Sequence, residues 1–160
     1  MGKIIHDHIE LKRVLDEEKK NGKIIVFGNG CFDIIHVGHI RYLKAAKELG
    51  DVLVVAINRD DSIRKLKNRR EVVTPDEERA EIVASIRYVD YVTLFSETSV
   101  ENLLKLLKPH IHAKGTDYTE DTVPEREVVL SYGGKVAIVG DEKRHSTSEI
   151  ITRIQKGKEN

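Results

Sequence analysis

Apolar residues fall along this chain in two alternating rhythms. Short unbroken runs, Lys23-Ile24-Ile25-Val26-Phe27 and Asp51-Val52-Leu53-Val54-Val55-Ala56-Ile57, have strand length without polar alternation. That is the pattern of a parallel strand covered on both faces. Between them Ile40, Leu43, Ala46 and Lys47 recur at three- and four-residue spacing. The spacing predicts a helix over 38–49, stopped at Gly50. Upstream, Asp7 is placed to cap a helix over 7–20, with Ile9, Val14 and Leu15 in its apolar stripe and Asn21-Gly22 ending it.

The same alternation continues downstream. Residues 64–70 read as a basic loop, and Thr74-Pro75-Asp76-Glu77 as a helix start with Thr74 at the cap and Pro75 in the first turn. Strands are expected over 91–94, 111–113 and 135–139, and helices over 75–86, 99–107, 124–131 and from 147. The fold class is therefore α/β, a Rossmann-like five-stranded parallel sheet with helices on both faces. No repeat or linker divides residues 1–160, so one domain is expected, with 1–22 as an N-terminal helix extension. In such a sheet ligands sit beyond the carboxyl ends of the strands. The loops to search are 28–39, 58–70, 96–97, 114–118 and 140–148.

Composition narrows the partners. Lys plus Arg and Asp plus Glu both total 27, for a net charge of zero. Nothing global draws the chain to nucleic acid or an anionic membrane, so neither is expected as a partner. No apolar stretch has bilayer length and the N-terminus lacks a secretory core, which predicts a cytoplasmic protein. Cys31 is the single cysteine, so no intrachain disulfide forms.

The chemistry concentrates where the first long strand meets the next helix. Gly28-Asn29-Gly30-Cys31-Phe32-Asp33 offers backbone N–H groups at close range, and His36-Val37-Gly38-His39 adds two imidazoles split by a glycine. A strand-to-helix junction is where this fold places a phosphate. Zinc binding is the rival reading, but no further Cys or His cluster has zinc spacing, and no metal site is expected. His6/His8 and His110/His112 read as solvent-facing polar residues at element ends.

Gly30-Cys31-Phe32-Asp33, His36-Val37-Gly38-His39 and Ser146-Thr147-Ser148 together resemble the cytidylyltransferase-like nucleotidyltransferases, in order and over nearly the whole chain. The resemblance implies that His36 and His39 contact the phosphates of a nucleoside triphosphate and stabilise the transition state. It implies nucleotide contacts from Gly30, Cys31, Phe32, Asp33, Val37 and Gly38, and from Gly115, Asp117, Ser146, Thr147 and Ser148. Mg²⁺ accompanies ATP. Leu66-Lys67, the segment 74–80, Lys114-Gly115-Thr116-Asp117-Tyr118 and Gly133-Gly134-Lys135-Val136 look like the free-standing adenylyltransferase module of ADP-heptose synthesis. The implied reaction joins D-glycero-β-D-manno-heptose 1-phosphate and ATP, releasing pyrophosphate, in a homodimer.

Beside that resemblance, Lys67, with Lys65 as the fallback, is the candidate cation between acceptor phosphate and triphosphate. Arg79 either binds phosphate or pairs with Asp76 on its own helix. Lys114 is placed to meet the sugar phosphate. Thr116 stands where the module usually has a second glycine, and Lys143-Arg144-His145 and Ser148 also depart from its pattern. The alternatives are a glycerol-3-phosphate cytidylyltransferase, an FMN adenylyltransferase, or a non-catalytic nucleotide- or metal-binding module.

Overall fold

The computed structural model describes residues 1–66, 71–142 and 145–158. Among them six strands, all in parallel pairs, form one sheet: β1 Lys3–Ile4, β2 Ile25–Gly30, β3 Val52–Asn58, β4 Tyr91–Phe95, β5 Ile111–Lys114 and β6 Lys135–Ile138. The helices are α1 His8–Lys20, α2 Val37–Glu48, α3 Asp60–Lys65, α4 Asp76–Ala84, α5 Glu101–Leu107, α6 Arg126–Ser131 and α7 Thr147–Lys158.

The apolar runs are explained by strand position. β3 is buried at every residue and pairs along its length with β2 on one side and β4 on the other. On one face Val26, Leu53, Val55 and Ile57 pack with Leu43 and Ala46 of α2 and Ala80 and Val83 of α4. On the other, Ile25, Phe27, Val54 and Ala56 pack with Leu11 and Leu15 of α1 and Leu103 and Leu104 of α5. Residues alternate between the two faces, and both faces are apolar.

The strand order is β1-β4-β3-β2-β5-β6. From β2 the chain builds outward through β3 and β4, then returns to place β5 on β2's other side. The order reverses between β2 and β5, and this leaves a crevice past their carboxyl ends.

Several expectations need correction. The sheet has a sixth strand, because Lys3 and Ile4 pair with Tyr91 and Val92 at the edge. Two residues are too few for any periodicity to announce them. Residues 60–65 form α3 rather than loop, anchored by buried Ser62 and Ile63. Pro75, not Thr74, is the N-cap of α4, with no side-chain cap bond. In α1 the inward positions are Leu11 and Leu15, while Ile9 is exposed. The cap itself is as expected, with Asp7 accepting from the Ile9 and Glu10 N–H groups.

The two inner histidines are also not solvent-facing. His110 Nδ1 accepts from the Ile25 N–H at 2.9 Å, and His112 is wholly buried. His8 Nε2 bonds the Leu94 carbonyl at 2.8 Å. No helix among the described residues is long and apolar enough to cross a membrane.

One contact ties α2 across the crevice. The Tyr42 hydroxyl donates to the Ala113 carbonyl at 2.6 Å, and a Cβ on Gly28 would collide with that hydroxyl. Gly28→Ala is therefore expected to lower the melting temperature clearly. Tyr42→Phe alone should cost about 1 kcal/mol for the lost hydrogen bond. In the Tyr42→Phe background Gly28→Ala should cost less than in the parent, a coupling that denaturant melts of all four proteins measure.

Candidate active site

A cleft of about 890 Å³ opens past the carboxyl ends of β2, β3, β4 and β5, within the size range of small-molecule sites. Its centre is the start of α2. His36 caps that helix with extended backbone, and its Nδ1 accepts from the Gly38 N–H at 3.1 Å. In return the His36 N–H donates to His39 Nδ1 at 3.2 Å. This is a reciprocal capping box built from imidazoles, which satisfies two N–H groups that a helix start otherwise leaves open. A Cβ on Gly38 would lie 2.9 Å from His36 Nδ1, so the glycine makes room for the ring.

The capping decides the tautomers. A backbone N–H can only donate, so both Nδ1 atoms are unprotonated acceptors. Each neutral ring therefore carries its proton on Nε2. Burial, then the neighbouring His36, pushes the His39 imidazole down to about 4. Burial and His145 also lower His36, against an opposing pull from Glu149. The rings lie 4.0 Å apart between centroids, with Phe32 5.5 Å from His39. At neutral pH the pair is thus two uncharged N–H donors side by side.

The loop after β2 is held in an unusual shape. Phe32 and Ile34 have φ of 52° and 47°, the left-handed region that non-glycine residues seldom occupy. Three fastenings keep it there. Arg79, with no exposed surface, donates to the Cys31 carbonyl, the Thr74 carbonyl and the Asp60 carboxylate. The Asp33 carboxylate accepts from the N–H groups of Val73 and Thr74. Thr147, opening α7, donates to the Asp33 carbonyl at 2.7 Å. That last bond sets the N-terminus of α7 against the histidine pair, and His145 lies 6.5 Å from the His36 ring. The free N–H groups of a helix start favour an anion there.

Residues 27–153 match the cytidylyltransferase-like family. The chain belongs to that family. Its members are nucleotidyltransferases, and this chain is an enzyme of that class. It is 47% identical to the bifunctional protein HldE of Pelobacter propionicus over 141 residues, 88% of this chain and 29% of that protein. Identity is also 47% to the HldE protein of Geobacter sulfurreducens, over 91% of this chain and 30% of that one. The chain thus spans less than a third of the length of these curated relatives. Among solved structures, a lipopolysaccharide core biosynthesis protein from Thermoplasma volcanium is 31% identical, with a TM-score of 0.65 over 76% of this chain and all of that one. A pantothenate synthetase from Thermus thermophilus, at 15% identity and a TM-score of 0.62, shares the fold.

Most residues singled out from this cytidylyltransferase-like sequence meet in the cleft. Gly30, Cys31, Phe32, Asp33, His36, Gly38 and His39 line its centre, and Lys114, Gly115 and Asp117 one flank. Ser146, Thr147 and Ser148 line the side of α7. Ser146 Oγ accepts from the Glu149 N–H, so this serine also caps the helix.

Three residues are placed elsewhere. Arg79 is neither a phosphate ligand nor a partner of Asp76, because its guanidinium is buried against Cys31, Thr74 and Asp60. The Val37 side chain is 43% exposed and off the lining. Lys65 is exposed at the end of α3 and also off the lining, while Lys67 lies outside the described residues. Sequence reasoning missed Glu125, Asn58 and Tyr42, all of which line the cleft. Only Glu125 carried a signal, a carboxylate directly after Pro124 at a helix start.

The neutral histidines make stability depend on acid in a defined direction. The unfolded His39 takes a proton near its ordinary value of about 6.5, whereas the folded one resists until about 4. Its contribution is complete above the first value and is lost as pH falls toward the second. Thermal melts across that window should show the fall, and His39→Asn should flatten it.

Proposed function

We propose that this chain transfers the adenylyl group of ATP to D-glycero-β-D-manno-heptose 1-phosphate, giving ADP-heptose and pyrophosphate. The observation that carries the reaction type is the capped pair His36 and His39, two neutral Nε2–H donors beside the N-terminus of α7. The acceptor reading is supported by the segment Lys114-Gly115-Thr116-Asp117-Tyr118, by the similarity to HldE proteins, and by the similarity to a lipopolysaccharide core biosynthesis protein. We read residues 1–160 as one nucleotidyltransferase domain that works in the cytoplasm as a homodimer.

In this reading an oxygen of the acceptor phosphate attacks the α-phosphorus of ATP in line. A new P–O bond forms as the bond to the β-phosphate oxygen breaks, and pyrophosphate leaves with that electron pair. No protein nucleophile is needed. The chain holds two polyanions in line and stabilises the charge on the equatorial oxygens. His36 and His39 donate from Nε2 to that phosphate. Ser146, Ser148 and the free N–H groups of α7 receive the departing pyrophosphate. The Thr147 hydroxyl is committed to the Asp33 carbonyl, so Thr147 acts by seating the helix. Asp117 accepts from the nucleoside, and Gly115 beside it borders open space, with nothing within 4 Å of a Cβ placed there.

Mg²⁺ enters with ATP as part of the substrate, carried on the triphosphate and offsetting its charge. Among the described residues no group of three His, Cys, Asp or Glu side chains converges on a metal position. Lys67, with Lys65 as the fallback, is the cation proposed to draw the acceptor phosphate toward the α-phosphorus.

Pyrophosphate release measures the proposal, with ATP and CTP each crossed against heptose 1-phosphate, glycerol 3-phosphate and FMN. Turnover is expected with ATP and heptose 1-phosphate. Release only with CTP and glycerol 3-phosphate would replace the acceptor and keep the mechanism. His39→Ala should lower kcat by about 100- to 1000-fold, the usual scale for one transition-state donor, and leave ATP affinity within a few fold. A proportional loss of affinity with normal kcat would count against that role. Lys67→Ala should lose more activity than Lys65→Ala.

A further inference from the structure

Behind the flank of the cleft formed by β5 lies a row of buried polar groups that the reaction as described leaves without a task. His112 and Lys114 project from the same side of β5, two residues apart. Glu125, just before α6, is wedged between them. Its Oε2 is 3.5 Å from His112 Nε2 and 3.9 Å from Lys114 Nζ. Lys114 and Glu125 are 9% and 7% exposed, and both line the cleft, whereas His112 is sealed behind them against Phe27.

The separations are ion-pair distances and fall outside hydrogen-bond range. Glu125 Oε2 and both ring nitrogens of His112 have no hydrogen-bond partner. Buried polar atoms left in this state are destabilising unless something supplies the missing partner. Burial pushes the Glu125 carboxyl up, but His112 and Lys114 outweigh it and hold the group below its ordinary value. Burial lowers the Lys114 ammonium, with Glu125 opposing the shift. The Tyr118 ring covers another side of the ammonium, 4.7 Å away. The result is a compact pair of opposite charges, nearly dry and facing the cleft.

Such a pair suits one kind of ligand. A phosphate drawn to Lys114 would bring its negative charge against the Glu125 carboxylate, which argues against the expectation that Lys114 meets the sugar phosphate. A hydroxyl has no such conflict, because it accepts from the ammonium while donating to the carboxylate. Two adjacent hydroxyls occupy both charges at once.

We propose that Lys114 and Glu125 form a subsite for the vicinal hydroxyls of a sugar, with His112 packed behind Glu125. The sugar is either the ribose of the nucleotide or the ring of the acceptor. This inference rests on the adenylyl-transfer reading for the identity of its ligands, and its test is read by binding rather than turnover.

Equilibrium binding distinguishes the two sources. One arm compares ATP with 2′-deoxy-ATP and 3′-deoxy-ATP. The other compares heptose 1-phosphate with its singly deoxygenated analogues. In one arm the parent protein should bind the deoxy ligand about 10- to 100-fold more weakly, the usual worth of a hydrogen bond to a charged group. Glu125→Gln should shrink that ratio to within about threefold, and Lys114→Gln should do the same by a separate route.

The arm that responds identifies the sugar. Parent protein indifferent to every missing hydroxyl would overturn the subsite. So would variants that weaken all ligands equally, since that pattern marks a purely structural ion pair. Absence of pyrophosphate release from a parent protein that still discriminates the hydroxyls would instead remove the adenylyl-transfer reading and leave the subsite standing.

Discussion

The reversal of strand order at β2 is the constraint on which the rest of this molecule depends. A parallel sheet delivers every strand to the same edge, and the change of direction between β2 and β5 opens that edge into a crevice. Both strands are covered by helices, so their carboxyl ends are the place where polar loops can gather beside an apolar core. The loop after β2 brings the histidines, the end of β5 brings Lys114, and the loop after it brings Asp117. The segment after β6 returns α7 across them. Shortening any of these strands by a residue would invert the side chains at its end and dismantle the arrangement.

Within that crevice, secondary structure and chemistry use the same atoms. The start of α2 has backbone N–H groups that need acceptors, and His36 and His39 supply them through Nδ1. Capping therefore leaves Nε2 as the donor on each ring. The burial that completes the helix start also keeps both rings neutral. A helix cap made from aspartate would satisfy the same N–H groups but bring a carboxylate, which offers no donor and carries a repelling charge.

Buried charge is used here in two ways. Arg79 spends its guanidinium on one carboxylate and two carbonyls from three separate segments, so it works as a fastening. It keeps Phe32 and Ile34 in left-handed conformations that would otherwise relax. The row His112–Glu125–Lys114 is the opposite case, since its distances leave atoms unsatisfied. A fastened charge stabilises a loop, whereas an unsatisfied one is available to a ligand.

Local chemistry was sufficient to determine the sequence-readable part of this protein. Periodicity is a property of neighbouring residues, so the apolar runs at β2 and β3, the Asp7 cap and the helix after His36 could all be read without coordinates. The spacing of His36, Gly38 and His39 likewise marked a segment that lines the centre of the cleft, because a helix start and its caps span only a few residues. What depended on distant partners could not be read. β1 exists because β4 offers it an edge. Arg79 resembled a phosphate ligand until the fold buried it against Cys31, 48 residues away. His112 resembled a surface residue until β5 was placed beside β2, and Glu125 had only its place after Pro124 to mark it until the start of α6 was set against His112 and Lys114. Sequence determined which groups the chain carries and which short segments hold them. Only the tertiary structure decided which charges are buried, because burial is set by residues that the chain supplies from far away.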